Sequence, residues 1–155
     1  MLVRFDDDHE EAVVALVRQF HAEATTYNTE PFDADVVRKY YRFCAHSPDG
    51  FGMMSIREDG TVTGFMAGGI GQTLFNTDKM SYDLSLYVAP EYRRKAGIAL
   101  RLVKEYIEWA RSKGVKDKFI RIGVSAGIDN AHAGDFLERL GFVEVAKSYA
   151  LGGAE

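Results

Sequence analysis

The sequence predicts an α/β fold in which a mixed sheet is flanked by helices, and three observations carry that prediction. Blocks of apolar residues at helical spacing alternate with short runs of strand character along all 155 residues. Asp59-Gly60 stands between two such runs as a hairpin signal. Tyr82 to Val88 reads as a strand and runs straight into a basic, glycine-containing turn that opens a helix.

Taken in order, Leu2 to Phe5 reads as a short strand, and Asp6 to Asp8 offer caps for a helix with Val13, Leu16, Val17, Phe20 and Ala24 on one face. Asp33 caps a second helix carrying Val36, Val37, Tyr40 and Cys44. Gly52 to Glu58 and Thr61 to Ile70 are strands joined through Asp59-Gly60, with positive backbone angles expected at both turn positions. After the basic turn, Ala99, Leu102, Val103, Tyr106, Ile107 and Ala110 form an apolar stripe that Gly114 ends. Phe119 to Ser125 reads as a strand. Ala133, Phe136, Leu137 and Leu140 mark a last helix closed by Gly141, with Phe142 placed for the usual capping contact. Val143 to Leu151 is expected as the final strand.

Length and an apolar content of 46% suit one substantial core, so a single domain over 1–155 is expected. A net charge of −4 argues against a general nucleic-acid binder and favours a cationic partner. Cys44 is the lone cysteine, which forbids an intrachain disulfide. No apolar run reaches membrane-spanning length, and the start turns acidic at Asp6, so a cytoplasmic protein without a membrane partner is expected.

The chemistry concentrates in the turn from Val88 to Ala99. Unpaired N–H groups at a helix start carry partial positive charge and hold anions, and Gly97 allows close approach of the backbone. Arg93, Arg94 and Lys95 add full charges suited to phosphate. The spacing fits neither a P-loop nor a three-glycine dinucleotide loop. Gly68-Gly69-Ile70-Gly71 lacks a third glycine where Leu74 stands, and reads instead as a bulged or closely packed strand. Cys44 and His46, two apart on a helix, point to different sides, so Cys44 reads as packing. His9, His21, His46 and His132 show no metal-ligand spacing, and no metal is expected. The acidic run Asp6 to Glu11 reads as a solvated helix start.

Arg94-Lys95-Ala96-Gly97-Ile98-Ala99 matches R/Q-x-x-G-x-G/A, and with it the chain resembles the GNAT superfamily of acyl-CoA-dependent N-acyltransferases. Asn130 to Phe142 is similar to a second segment of that family, N-x-x-A-x-x-x-Y-x-x-x-G-F. The resemblance implies a mostly antiparallel sheet of six to seven strands with about four helices, and acetyl transfer from acetyl-CoA to a primary amine in a ternary complex. It implies that CoA pyrophosphate lies over Lys95, Ala96, Gly97, Ile98, Ala99 and Leu100, and that pantetheine runs beside Leu86, Tyr87 and Val88. Asn130 contacts CoA in this reading or caps its helix, and Phe136 belongs to the same cofactor face.

Asp83 matches the strand position where some relatives carry a carboxylate base, and by simple alternation it shares a face with Ser85 and Tyr87. The family's usual acid, a tyrosine in the final helix, is Leu137 here, which leaves Tyr87 and Tyr149 as candidate proton donors. That departure motivates an alternative, a catalytically weak or inactive acyl-CoA-binding module. The amine acceptor falls to the first two helices and the loop from Leu74 to Lys79, where Phe32, Tyr40, Tyr41, Phe43 and Phe75 either line a pocket or fill the core. Exposed sheet edges in such folds also allow a homodimer.

Overall fold

In the structure, a computed structural model that describes residues 1–94 and 97–152, the chain enters through β1 (Leu2–Arg4) and then forms α1 (Glu10–Glu23) and α2 (Ala34–His46). It continues through β2 (Gly50–Ile56), β3 (Val62–Gln72) and β4 (Lys79–Val88), then α3 (Ile98–Ser112) and α4 (Asn130–Arg139). The strands form one antiparallel sheet in the order β1-β2-β3-β4. The expected four helices are present among the described residues, but the ladder has four strands and not six to seven.

Burial on both faces of the sheet explains its composition. α1 and α2 cover one face, where Phe5, Val13, Leu16, Tyr41 and Phe65 meet. α3 covers the other, where Phe51, Met66, Leu102, Val103 and Tyr106 meet. β2 is buried along its whole length, which is why its sequence reads as a continuous apolar run. Glycines let the layers approach: a Cβ on Gly68 would lie 2.6 Å from the Tyr82 carbonyl oxygen and 3.0 Å from the Tyr106 ring.

Helix ends follow the sequence in part. Asp33 caps α2 by accepting from the N–H groups of Asp35 and Val36, as expected. The first helix starts later than its acidic run suggests: His9 takes the cap position, and Asp6 Oδ1 accepts the His9 N–H at 3.0 Å. α3 ends where Gly114 turns left-handed (φ 86°), and Gly141 (φ 96°) does the same after α4. The Asp59-Gly60 hairpin departs from the expected turn. Only Gly60 takes a positive φ, because Asp59 Oδ1 accepts the Thr61 N–H at 3.0 Å and closes a side-chain turn instead.

Two expected strands are absent from the ladder, and a bulge lies in the strand that would neighbour the first of them. β3 and β4 slip register between Ala67 and Gly68, which pair with Ser85 and Asp83 and leave Leu84 as an extra residue. A bulge bends its strand. Beside β4 the segment 119–125 therefore pairs only once, in the parallel bridge Ser81↔Ile120, with the Arg121 N–H donating to the Ser81 carbonyl at 3.2 Å. Without a continuous neighbour, 143–151 has no edge to join. Val143, Tyr149 and Leu151 are exposed despite a period-two pattern.

Candidate active site

The bulge also decides which way the reactive strand presents its side chains. Up to Asp83 the odd positions face α3: the buried Tyr106 hydroxyl donates to Ser81 Oγ at 3.0 Å and lies near the Asp83 charge. Beyond Leu84 the parity reverses. Ser85 and Tyr87 face α1 and α2, and Leu86 and Val88 face α3. Asp83 thus lies on the opposite face from Ser85 and Tyr87, which corrects the expectation from simple alternation.

Asp83 Oδ1 accepts the Gly123 N–H at 2.8 Å, so the carboxylate spans the gap where β4 and the following segment part. Burial pushes its pKa up, opposed by hydrogen bonds from the backbone of Gly123 and of Asp83 itself. From there to Val88 the outer edge of β4 has no strand beside it among the described residues. Apart from the Val88 carbonyl, which Arg93 Nε holds, its outward main-chain groups have no strand partner among the described residues.

That edge leads into the start of α3. The chain turns through Pro90–Tyr92, Arg94 takes φ 66°, and Gly97 takes φ 58° at the helix N-cap position. Among the described residues no side chain caps the helix, and Arg101 is the residue whose N–H reaches back to the Gly97 carbonyl. The N–H groups of Ile98, Ala99 and Leu100 precede that first turn of bonding and point out of the helix end. A Cβ on Gly97 would meet nothing within 4 Å, so glycine is needed there for its backbone angle, and the space outside is open. Lys95 and Ala96 lie outside the described residues.

Arg93 is not part of this open cradle. Its Nη1 and Nη2 donate to the two carboxylate oxygens of Glu23 at 2.5 and 2.8 Å, and its Nε donates to the Val88 carbonyl at 2.8 Å. The Tyr87 hydroxyl donates to the same carboxylate at 2.7 Å, and the guanidinium lies over the Tyr87 ring. The Arg93 hydrogen bond, opposed by partial burial, holds the Glu23 carboxyl below its ordinary range. Burial and the Glu23 carboxylate push the Tyr87 phenol up, so Tyr87 is a poor proton donor at neutral pH. Sequence reading missed Glu23, since nothing local announces a partner 70 residues away from Arg93.

The remaining candidates are scattered. Asp129 (φ 42°) holds the α4 cap position and accepts from the His132 N–H, while Asn130 accepts the Gly127 N–H at 3.1 Å; the capping role falls to Asp129 and not to Asn130. Phe136 packs with Leu140 and Phe142 against the α3 core, and Leu137 is buried. Tyr149 is 88% exposed and lies outside any helix or strand. Cys44 is buried with its thiol donating to the Gly68 carbonyl, and burial pushes its pKa to about 11, in keeping with a packing role. Tyr40 and Tyr41 line an apolar cavity of about 270 Å³ between the first two helices and β4, whereas Phe32 packs beside Arg18 and His21 and Phe75 is exposed.

Comparison with known proteins decides the family. The sequence matches the model of the Acetyltransferase (GNAT) family over residues 14–142. The chain belongs to the GNAT acetyltransferase family. No curated protein sequence matches it. Among solved structures, its fold is similar to that of AAC(6')-Iy in complex with the bisubstrate analog CoA-S-monomethyl-acetylneamine, at TM-score 0.77 and 16% identity over 99% of this chain and 97% of that one. It is also similar to a mutant of the BH1408 protein from Bacillus halodurans, at TM-score 0.80 and 17% identity over 99% of each chain. The aminoglycoside antibiotic 6'-N-acetyltransferase AAC(6')-Ih from Acinetobacter baumannii matches at TM-score 0.73 and 18% identity, over 100% of this chain and 98% of that one. In this GNAT chain the open β4 edge is followed, through the turn at Pro90–Tyr92, by the start of α3.

Proposed function

We propose that this GNAT protein is a cytoplasmic N-acetyltransferase that moves an acetyl group from acetyl-CoA to a primary amine of a small molecule or protein. The observation that carries the reading is the unpaired β4 edge running into an uncapped helix start at left-handed Gly97. CoA pyrophosphate is received by the N–H groups of Ile98, Ala99 and Leu100, with Arg94 and Lys95 supplying charge and Asn130 and Phe136 flanking. Pantetheine follows Leu86, Tyr87 and Val88. Arg93 acts indirectly, by tying the turn to Glu23 on α1.

An alkyl ammonium is only about one part in a thousand neutral near pH 7, so a base is required. Asp83 takes that proton, directly or through water, and its burial brings its pKa nearer the working pH. The amine nitrogen attacks the thioester carbonyl carbon, a main-chain N–H near Leu86 to Val88 receives the developing oxyanion charge, and the carbon–sulfur bond breaks. The attacking nitrogen gives its second proton to solvent, and the departing thiolate takes up a proton from solvent or from Tyr149. No metal takes part.

The second reading, an acyl-CoA binder without turnover, is favoured by the buried Leu137 and the exposed Tyr149. Titration calorimetry with acetyl-CoA, followed by a thiol-release assay over a panel of amines, separates the two. Binding with release on at least one amine supports the transferase, and binding without any release supports the binder. Pairing of two copies belongs to the same proposal, since Val143, Val145 and Leu151 are exposed on a stretch patterned as a strand; sedimentation velocity tests it.

A further inference from the structure

The cavity beside Leu84 and Ser85 specifies the class of amine. It is bounded by Val17 and Phe20 of α1, Val37 and Tyr40 of α2, and Leu84 and Ser85 of β4, and no charged residue lines it. Tyr40 and Leu84 are partly exposed, so the cavity opens to solvent and is not a sealed defect of the core. It opens at the bulge, where β4 turns from its buried ladder to the free edge that leads to Gly97. A group seated in it therefore ends close to where a thioester following that edge would end.

The charges around the cavity are already neutralised. Every carboxylate on the two covering helices pairs with an arginine: Glu10 with Arg42, Glu11 and Asp35 with Arg38, and Glu23 with Arg93, at 2.5 to 2.8 Å. A substrate with several ammonium groups would find no unpaired carboxylate on these helices, and would bring its charges against an apolar wall. Asp83 is turned to the α3 face of β4, so it stands outside the cavity and adds no charge to its lining.

Resting on the acetyltransferase reading above, we infer that the acceptor is a monoamine whose nitrogen sits on an aromatic or branched aliphatic group, and that this group fills the cavity between α1, α2 and β4. The volume of about 270 Å³ receives a phenyl or isobutyl group with its linking carbons, and its uncharged lining offers nothing to the ammonium groups of a multi-ring aminoglycoside.

The test uses the full chain with acetyl-CoA and four acceptors: phenethylamine, isopentylamine, spermidine and neamine. The two apolar monoamines should exceed the two polycations at least tenfold in kcat/KM. Val37→Phe and Val17→Phe, which fill the cavity from two partly exposed positions, should raise KM for phenethylamine at least tenfold and leave the Kd for acetyl-CoA unchanged. Preference for spermidine or neamine would overturn the inference and leave the acetyltransferase reading standing. So would turnover on small amines that rises when hexanoyl-CoA replaces acetyl-CoA and falls in both variants, since the cavity would then hold the acyl chain. If acetyl-CoA binds but no amine is acetylated, the transferase reading fails, and calorimetry of phenethylamine against the CoA complex judges the cavity alone. Saturable binding lost in both variants keeps the assignment of the cavity, and no binding removes it.

Discussion

Asp83 Oδ1 accepts the Gly123 main-chain N–H at 2.8 Å, across the point where β4 and the segment after α3 separate. One carboxylate thus bridges the gap between β4 and the segment that follows α3. The bulge at Leu84 makes this possible, because it ends the ladder beyond Ser81↔Ile120 and turns Ser85 to the other face.

Asp83→Asn tests the chemical half of that arrangement. The amide oxygen can still accept from Gly123, so the site is kept while the base is lost. Turnover should fall about 100-fold at pH 7 and by less at pH 9 to 10, where free amine is abundant. A rate profile parallel to wild type across that range would remove Asp83 as the base. The stability sign runs the other way. Burial raises the Asp83 pKa, so the folded state favours the protonated form; that contribution is complete below the ordinary carboxylate value of about 3.9 and is lost as pH rises through the raised value. The variant should therefore gain in melting temperature relative to wild type as pH increases across that interval.

Glu23→Gln tests the tether beneath the turn. Arg93 and Glu23 are each about one-third exposed, so solvent screens the pair, and its loss should cost about 1 kcal/mol at neutral pH. KM for acetyl-CoA should rise several-fold, because the chain between Val88 and Gly97 loses its anchor on α1. Arg93 lowers the Glu23 pKa, so this stabilisation is present above the ordinary glutamate value of about 4.3 and is lost as pH falls through the depressed one. Melting curves of the two proteins should converge in acid. Curves that stay parallel down to low pH would deny the ion pair any part in stability.

Gly97 separates backbone demand from ligand space. At φ 58° an L-residue costs about 1 kcal/mol, yet the position has room for a Cβ. Gly97→Asn, which tolerates this angle, should melt close to wild type, while Gly97→Gln should lose stability and raise KM for acetyl-CoA at least tenfold. An unchanged KM in the glutamine variant would remove the α3 start as the phosphate site.

The parts of this molecule that local patterns can encode were legible. Asp33 as a cap, Gly114 and Gly141 as helix ends, and the stripe Leu102, Val103, Tyr106 are all set by interactions within a few residues. The parts that depend on distant partners were not. A period-two pattern over 143–151 reports two unlike faces and says nothing of a neighbour, so the strand expected there has no ladder. The parity error at Asp83 has the same origin, since no residue between Tyr82 and Leu86 announces a bulge. Arg93 looked like a phosphate ligand because charge is visible in sequence and its internal partner Glu23 is not.

Tyr106 offers a final test, of the joint between the sheet and the segment that carries Gly123. Its buried hydroxyl hydrogen-bonds Ser81 Oγ at 3.0 Å and the Arg121 carbonyl at 2.9 Å, and so fastens β4 to the parallel bridge at Ile120. Burial pushes the phenol pKa up, so it stays protonated and serves as a donor throughout the working range. Tyr106→Phe keeps the packing against Phe51 and Trp109 and leaves Ser81 and the Arg121 carbonyl without this partner, which should cost about 1 to 3 kcal/mol and lower the melting temperature by several degrees. With that pin removed, Gly123 should drift from Asp83. Amide exchange at Gly123 should then quicken in the variant while exchange in β2 stays slow. Equal quickening at both places would mean that Tyr106 supports the whole core and not this joint.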